Sequence, residues 1–139
     1  MIILDLIRHF QVALRLAKLL TQTKAHAVTS IIRNPEHAED LKAASADITP
    51  LLLSLEEASV EDLTKAFTGA DVVVFSAGAG GKGGPERTKA VDYEGAVKVF
   101  DAIEGVESNK PRLILVSALD VRNPDIMPEH YVRTLFTVD

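Results

Sequence analysis

The chain has 139 residues, 47% hydrophobic and 25% charged, with a formal net charge of −5. That balance suits one globular domain over residues 1–139 built around a single core, and it excludes a disordered chain. The acidic surface excludes a nucleic-acid partner, no apolar run reaches the ~20 residues of a bilayer span, and the lack of cysteine excludes disulfides, thiolate metal sites and thiol catalysis. A cysteine-free acidic chain points to the reducing cytoplasm. Residues 1–8 lack a basic leader, a long apolar stretch and a small-residue cleavage site, so they read as a strand rather than a signal peptide.

Residues 2–7 form the first predicted strand. A helix over 10–21 follows, with Val12, Leu16, Leu19 and Leu20 as its apolar stripe opposite Gln11, Arg15, Lys18 and Gln22. Residues 27–32 make the second strand. Asn34 and Pro35 then offer an N-cap and a first-turn proline for a helix reaching about Ala44. The third strand covers 48–53. Ser59-Val-Glu-Asp62 is a capping-box pattern, opening a helix that Gly69 stops. The fourth strand covers 72–75. The spacing then predicts one long helix over 86–104 that buries Val91, Gly95, Val99 and Ile103, with Gly105 just past its end. Residues 113–116 are the fifth strand, and beyond Ala118 the pattern dissolves.

Near-continuous apolar strands alternating with helices imply an α/β fold: a doubly wound, Rossmann-like parallel sheet, about five strands in the order 3-2-1-4-5, with helices on both faces. The domain reads as truncated after the fifth strand. The most informative segment is Val72-Val-Val-Phe-Ser-Ala-Gly-Ala-Gly-Gly-Lys-Gly-Gly-Pro85, where a buried strand opens into five glycines within seven residues. Such a loop lets main chain lie against a ligand at the end of a strand. Gly78-Ala-Gly-Gly-Lys-Gly83 matches the G-x-G-x-x-G string, but three βα units precede it, and the acid expected about 20 positions on appears only at Asp120. It therefore reads better as the fourth βα turn, beside the switch point of the sheet. A glycine-rich loop without a ligand is the plain structural alternative.

Residues 71–84, the helix around Val91-Asp-Tyr-Glu-Gly-Ala-Val-Lys98 and the strand Arg112-Leu-Ile-Leu-Val-Ser-Ala118 resemble atypical short-chain dehydrogenase/reductases of the NmrA-like kind, the branch with flavin and biliverdin reductase-like proteins. Ile31-Ile-Arg-Asn-Pro35 fits the same group, which ends its second strand in arginine. The resemblance implies an NAD(P)-binding domain with NADP preferred over NAD. It implies that Arg33 pairs with the 2′-phosphate, that Asn34 lines the adenosine side, and that Ser54 and Leu55 sit beside adenine. Ser76, Ala77, Gly78 and Ala79 would meet the central riboses and diphosphate, and Ser117 and Ala118 would face the nicotinamide. Asn34 is equally suited to capping a helix, and Ser117 to satisfying a strand end.

Two departures shape the functional expectation. Family members carry glycines at the first strand-to-helix turn, where this chain reads Ile7-Arg-His-Phe-Gln11. Side chains there obstruct the approach of a diphosphate to main-chain amides, so weak or lost cofactor binding is expected. The second departure is chemical: no Tyr-x-x-x-Lys pair exists, since Tyr93 and Lys98 are five apart and Tyr131 has Leu135 in the lysine position. No catalytic residue or metal ligand is therefore assigned. The alternative reading is a non-catalytic Rossmann remnant that self-associates through an unpaired fifth-strand edge. An FMN-binding, flavodoxin-like fold is a more distant alternative.

Overall fold

A computed structural model describes residues 2–5, 10–78 and 84–116, the side chains of 2–5, 10 and 11 excepted. Five strands, β1 (Ile2–Asp5), β2 (Val28–Ile32), β3 (Ile48–Leu52), β4 (Val72–Phe75) and β5 (Arg112–Leu115), form one sheet in the order β3-β2-β1-β4-β5. Every pairing is parallel, with Asp5 level with Ile31 on one side and Phe75 on the other. The ladder runs one step past two strand ends, through Leu53 N–H to Ile32 O and Val116 N–H to Phe75 O, both at 2.9 Å. Parallel neighbours require crossovers, and the helices α1 (Phe10–Gln22), α2 (His37–Ala44), α3 (Val60–Phe67), α4 (Gly84–Thr88) and α5 (Gly95–Glu104) supply them.

The core is double, which corrects the expectation of a single one. On one face Val28, Ile32, Ile48 and Val74 pack under Ala13 and Ala17 of α1 and Leu41 of α2. On the other, Ile31, Val73 and Phe75 pack under Leu63 and Phe67 of α3 and Val99, Ala102 and Ile103 of α5. Alternation along a strand sends successive side chains to opposite faces, so a sheet covered on both sides separates its apolar residues into two layers. Each large side chain fully buried this way contributes roughly 1.5–3 kcal/mol.

Three local details differ from the sequence expectation. In α1 the buried stripe is centred on Ala13 and Ala17, while Val12 and Leu19 stand 50% and 61% exposed. Alanines let the helix approach the sheet more closely than branched side chains do, so the small residues define the contact and the larger ones flank it. The start of α2 is preceded by tighter turns, in which His37, Ala38 and Glu39 N–H groups donate to the carbonyls three residues earlier. The long helix is interrupted: a π-helical stretch, Lys89–Glu94, separates α4 from α5. Val91, Gly95, Val99 and Ile103 are nevertheless buried as their spacing implies. The α3 boundaries follow the sequence: Ser59 caps the helix in a complete capping box, and Gly69 beyond it adopts a φ of +79°.

Candidate functional site

Because β2 and β4 flank β1, the chain leaves both strands at the same edge of the sheet, about 10 Å apart by the usual spacing of strands. Arg33 follows the end of β2 and Ser76 follows the end of β4, so the two stretches face each other across the end of β1. In a doubly wound sheet this is the switch point, where neighbouring crossovers depart to opposite faces and leave a crevice. Here α1 and α2 lie on one face and α3 and α5 on the other.

On the β4 side, Ser76 is buried, Ala77 packs against the α3/α5 core and Gly78 is buried. Ala79 lies outside the described residues, as do Ser117, Ala118 and the first-turn residues 6–9. On the β2 side, Asn34 is engaged locally: its Oδ1 accepts the Glu36 N–H at 3.1 Å, and its Nδ2 donates to Glu36 Oε2 at 3.1 Å. Asn34 therefore forms a local turn ahead of α2 rather than the expected cap: Glu36 holds the N-cap position of that helix, with no side-chain cap hydrogen bond.

The loop after β3 forms the adjoining wall. Ser54 O accepts the N–H groups of Glu57 at 3.2 Å and Ala58 at 2.8 Å, which closes the loop into a turn. Leu55 directs its side chain into the core, where it is 2% exposed. A Cβ on Gly95 would stand 2.7 Å from Leu55 Cδ2, so the glycine that opens α5 is what allows the helix to come this close to the loop. π-helical turns recur at functional sites, and the stretch Lys89–Glu94 ends at this glycine.

Lys98 is a residue that sequence reasoning weighed only as a failed partner for Tyr93. Its Nζ donates to the carbonyls of Leu55, Glu56 and Ala58 at 3.2, 3.1 and 3.2 Å. Three acceptors match the three donors of an ammonium, so Lys98 fastens the β3–α3 loop to α5. Tyr93, five residues earlier, is exposed. The signal in the sequence was a lysine on a helix face otherwise committed to the core.

Glu56, held at its backbone by Lys98, sends its carboxylate towards both neighbouring walls. Arg33 Nη1 donates to Glu56 Oε2 at 3.5 Å, and Arg87 Nε of α4 stands 3.7 Å from Glu56 Oε1. Residues following β2, β3 and the β4 glycine loop are thereby brought to one point. No metal cluster of His, Cys, Asp or Glu occurs among the described residues. An open hollow of about 470 Å³ lined by Thr21, Lys24, Ala25, His26, Ala27 and Asp47 lies at the opposite edge of the sheet. Ligands of open α/β sheets bind beyond the carboxyl ends of the strands, so that hollow is not the candidate site.

A parallel sheet in this order, with the Ser76–Gly78 turn at one side of the switch point and an arginine at the other, defines a Rossmann-type fold. Residues 9–136 match the NAD(P)H-binding family, and the chain belongs to that family. It is 43% identical over 127 residues to the UPF0659 protein C216.03 of Schizosaccharomyces pombe, covering 88% of this chain and 49% of that protein. Against the uncharacterized sugar epimerase YhfK of Bacillus subtilis the identity is 35% over 115 residues, covering 81% and 50%. A solved Bacillus halodurans structure, provisionally described as an NAD-dependent epimerase/dehydratase, superposes with a TM-score of 0.77 at 29% identity, covering 96% of this chain and 59% of that one. Serine dehydrogenase from Escherichia coli shares the fold, with a TM-score of 0.63 at 17% identity. The chain spans about half the length of the curated relatives it matches. The resemblance to an atypical NAD(P)-binding Rossmann family, read from the fourth strand and the helix after it, is what these similarities support. Among the described residues no helix is long and apolar enough to cross a membrane.

Proposed function

We infer that the chain binds a nicotinamide dinucleotide across the end of β1, with NADP preferred over NAD. The observation that carries this reading is the position of Arg33, at the end of β2 and across β1 from the Ser76–Gly78 turn. A guanidinium there suits a 2′-phosphate, which it can meet with paired charge-assisted hydrogen bonds. The turn after β4 offers main chain, with little side-chain bulk, to the riboses and diphosphate. In this reading Ser54 and the main chain of the β3–α3 loop border the adenine; the roles proposed for Ala79 at the riboses and diphosphate and for Ser117 and Ala118 at the nicotinamide rest on sequence position, since these three lie outside the described residues. When bound, a nicotinamide dinucleotide supplies hydride transfer. This chain's own residues bind and orient the cofactor, and none is assigned to proton transfer: Lys98 is committed to three carbonyls and Tyr93 lacks a lysine partner.

The test is a thermal-shift titration with NADPH and NADH. NADPH is expected to stabilise the fold more, and Arg33→Ala to remove the difference. Equal shifts with both cofactors would defeat the role given to Arg33.

A second reading is a non-catalytic remnant that self-associates through β5. It is favoured by the exposure of Ile114, Leu115 and Val116 on a strand that, among the described residues, pairs only with β4. A dimer in light scattering together with no dinucleotide binding at millimolar concentration would favour it over the first reading.

A further inference from the structure

We propose that Glu56 occupies the place of the cofactor's 2′-phosphate between Arg33 and Arg87, so that Arg87 is a second phosphate-binding residue and Glu56 a competitor that tunes the choice between NADP and NAD. The inference rests on the dinucleotide reading above.

Four observations lead to it. First, the Glu56 carboxylate lies between two guanidiniums from separate elements, 3.5 Å from Arg33 Nη1 and 3.7 Å from Arg87 Nε. Both distances exceed the 2.7–2.9 Å of tight charge-assisted bonds, so neither contact is a tight one. Second, the Arg87 Nε atom is buried and, among the described residues, has no hydrogen-bond acceptor, although the side chain as a whole is 36% exposed. A buried guanidinium donor without an acceptor is costly, and it is relieved by an oxyanion that comes closer than Glu56 does. Third, among the described residues the two guanidiniums share one carboxylate, and a phosphate monoester of charge about −1.5 to −2 matches the two of them more closely once Glu56 has swung aside. Fourth, exchange is mechanically simple. Lys98 fixes the backbone of Glu56 through its carbonyl, and among the described residues the carboxylate is held by these two long contacts.

The two pairs are each more than a third exposed on at least one side, at 39% for Arg33 and 36% for Arg87 against 35% for Glu56. Water screens pairs of this kind, so the internal carboxylate is a weak competitor that a doubly charged group meeting two arginines can displace. NADH, with a hydroxyl in place of the 2′-phosphate, has no charge with which to displace it. Glu56 then remains between the arginines. The competition therefore acts on NADP alone, and removing Glu56 widens the preference without building any new contact.

The experiment is calorimetric titration of the whole chain with NADPH, NADH, 2′,5′-ADP and 5′-ADP, for the wild type and for Glu56→Gln, Glu56→Ala and Arg87→Ala. Both Glu56 variants are expected to bind NADPH and 2′,5′-ADP more tightly, by about threefold to tenfold, with NADH and 5′-ADP unchanged. Arg87→Ala is expected to weaken NADPH and 2′,5′-ADP by about tenfold while sparing NADH. The unliganded melting temperature of each variant separates a folding defect from a binding effect. If the NADPH preference depends on Arg33 but is indifferent to both Glu56 variants, or if Arg87→Ala weakens both dinucleotides equally, the proposal falls and the cofactor reading stands. Failure of every form to bind any of the four nucleotides overturns both.

Discussion

The two faces of the sheet are held by different means. Beneath α3 and α5, apolar packing is reinforced by polar fasteners: the Lys98 ammonium on three carbonyls, the Ser59–Asp62 capping box, and Thr64 Oγ1 shared between Val60 O at 2.8 Å and Ala102 O at 3.2 Å. Beneath α1 and α2 the contact is made by Ala13 and Ala17 of α1 and Leu41 of α2, and it leaves a flaw: among the described residues, buried Ser30 Oγ has no hydrogen-bond partner. The difference follows what each face must position. The α3/α5 side carries the β3–α3 loop with Glu56, whose register matters to within a hydrogen bond. The α1/α2 side has only to bring a helix close to β2.

The sharpest way to break this contrast is Lys98→Met, which keeps the aliphatic stem and removes the fastener. Hydrogen bonds to a charged group contribute about 1.5–3 kcal/mol, so denaturant unfolding should show a loss of about 2–3 kcal/mol. Unchanged stability would mean that the loop holds itself.

Next in size is Ser59→Ala, expected to cost about 1 kcal/mol through loss of the α3 cap. This site also makes a pH prediction. The Ser59 hydroxyl and backbone N–H, both donating to Asp62 Oδ2, hold the Asp62 carboxyl below its ordinary value. A carboxyl lowered on folding contributes stability that is complete above the unfolded-state value and is lost as pH falls through the folded-state value. Wild type and Asp62→Asn should therefore converge in stability as the pH is lowered through the carboxylate range. A constant difference down to the acid limb would place the effect elsewhere.

The smallest effect tests the other face. Ser30→Ala removes a buried hydroxyl that has nothing to bond, so the variant should match the wild type or exceed it by up to about 1 kcal/mol. A clear loss of stability in thermal melts would show that the hydroxyl has a partner after all, and the contrast between the faces would weaken.

Much of the fold is legible in the residues themselves. The β-branched run at Val72–Phe75, the strand expected over 48–53, the Ser59–Asp62 cap and the Gly69 stop are local signals, and each falls within a residue of where the structure has it. The helix stripe of α1 is less legible, because a hydrophobicity pattern favours Val12 and Leu19 over Ala13 and Ala17, whereas close approach to a sheet favours the smaller residues. The π-helical interruption carries no periodic signature. In the candidate site, Arg33 and the serine–glycine turn stand out by sequence position alone. Glu56 and Arg87 do not, since each looks like an ordinary charge on a helix or loop until the elements are packed, and Lys98 shows only as a lysine on a helix face otherwise committed to the core.

From the sequence by itself come the alternation of strand and helix, the parallel doubly wound class and the opening of a glycine-rich turn after the fourth strand, because periodicity and turn chemistry act over a few residues at a time. Tertiary structure alone decides that residues 33, 56 and 87 meet at one carboxylate and that Lys98 pins the loop between them. Those contacts join segments 23 to 43 positions apart. Their energy exists only once the crossovers have brought separate strand ends to the same edge of the sheet.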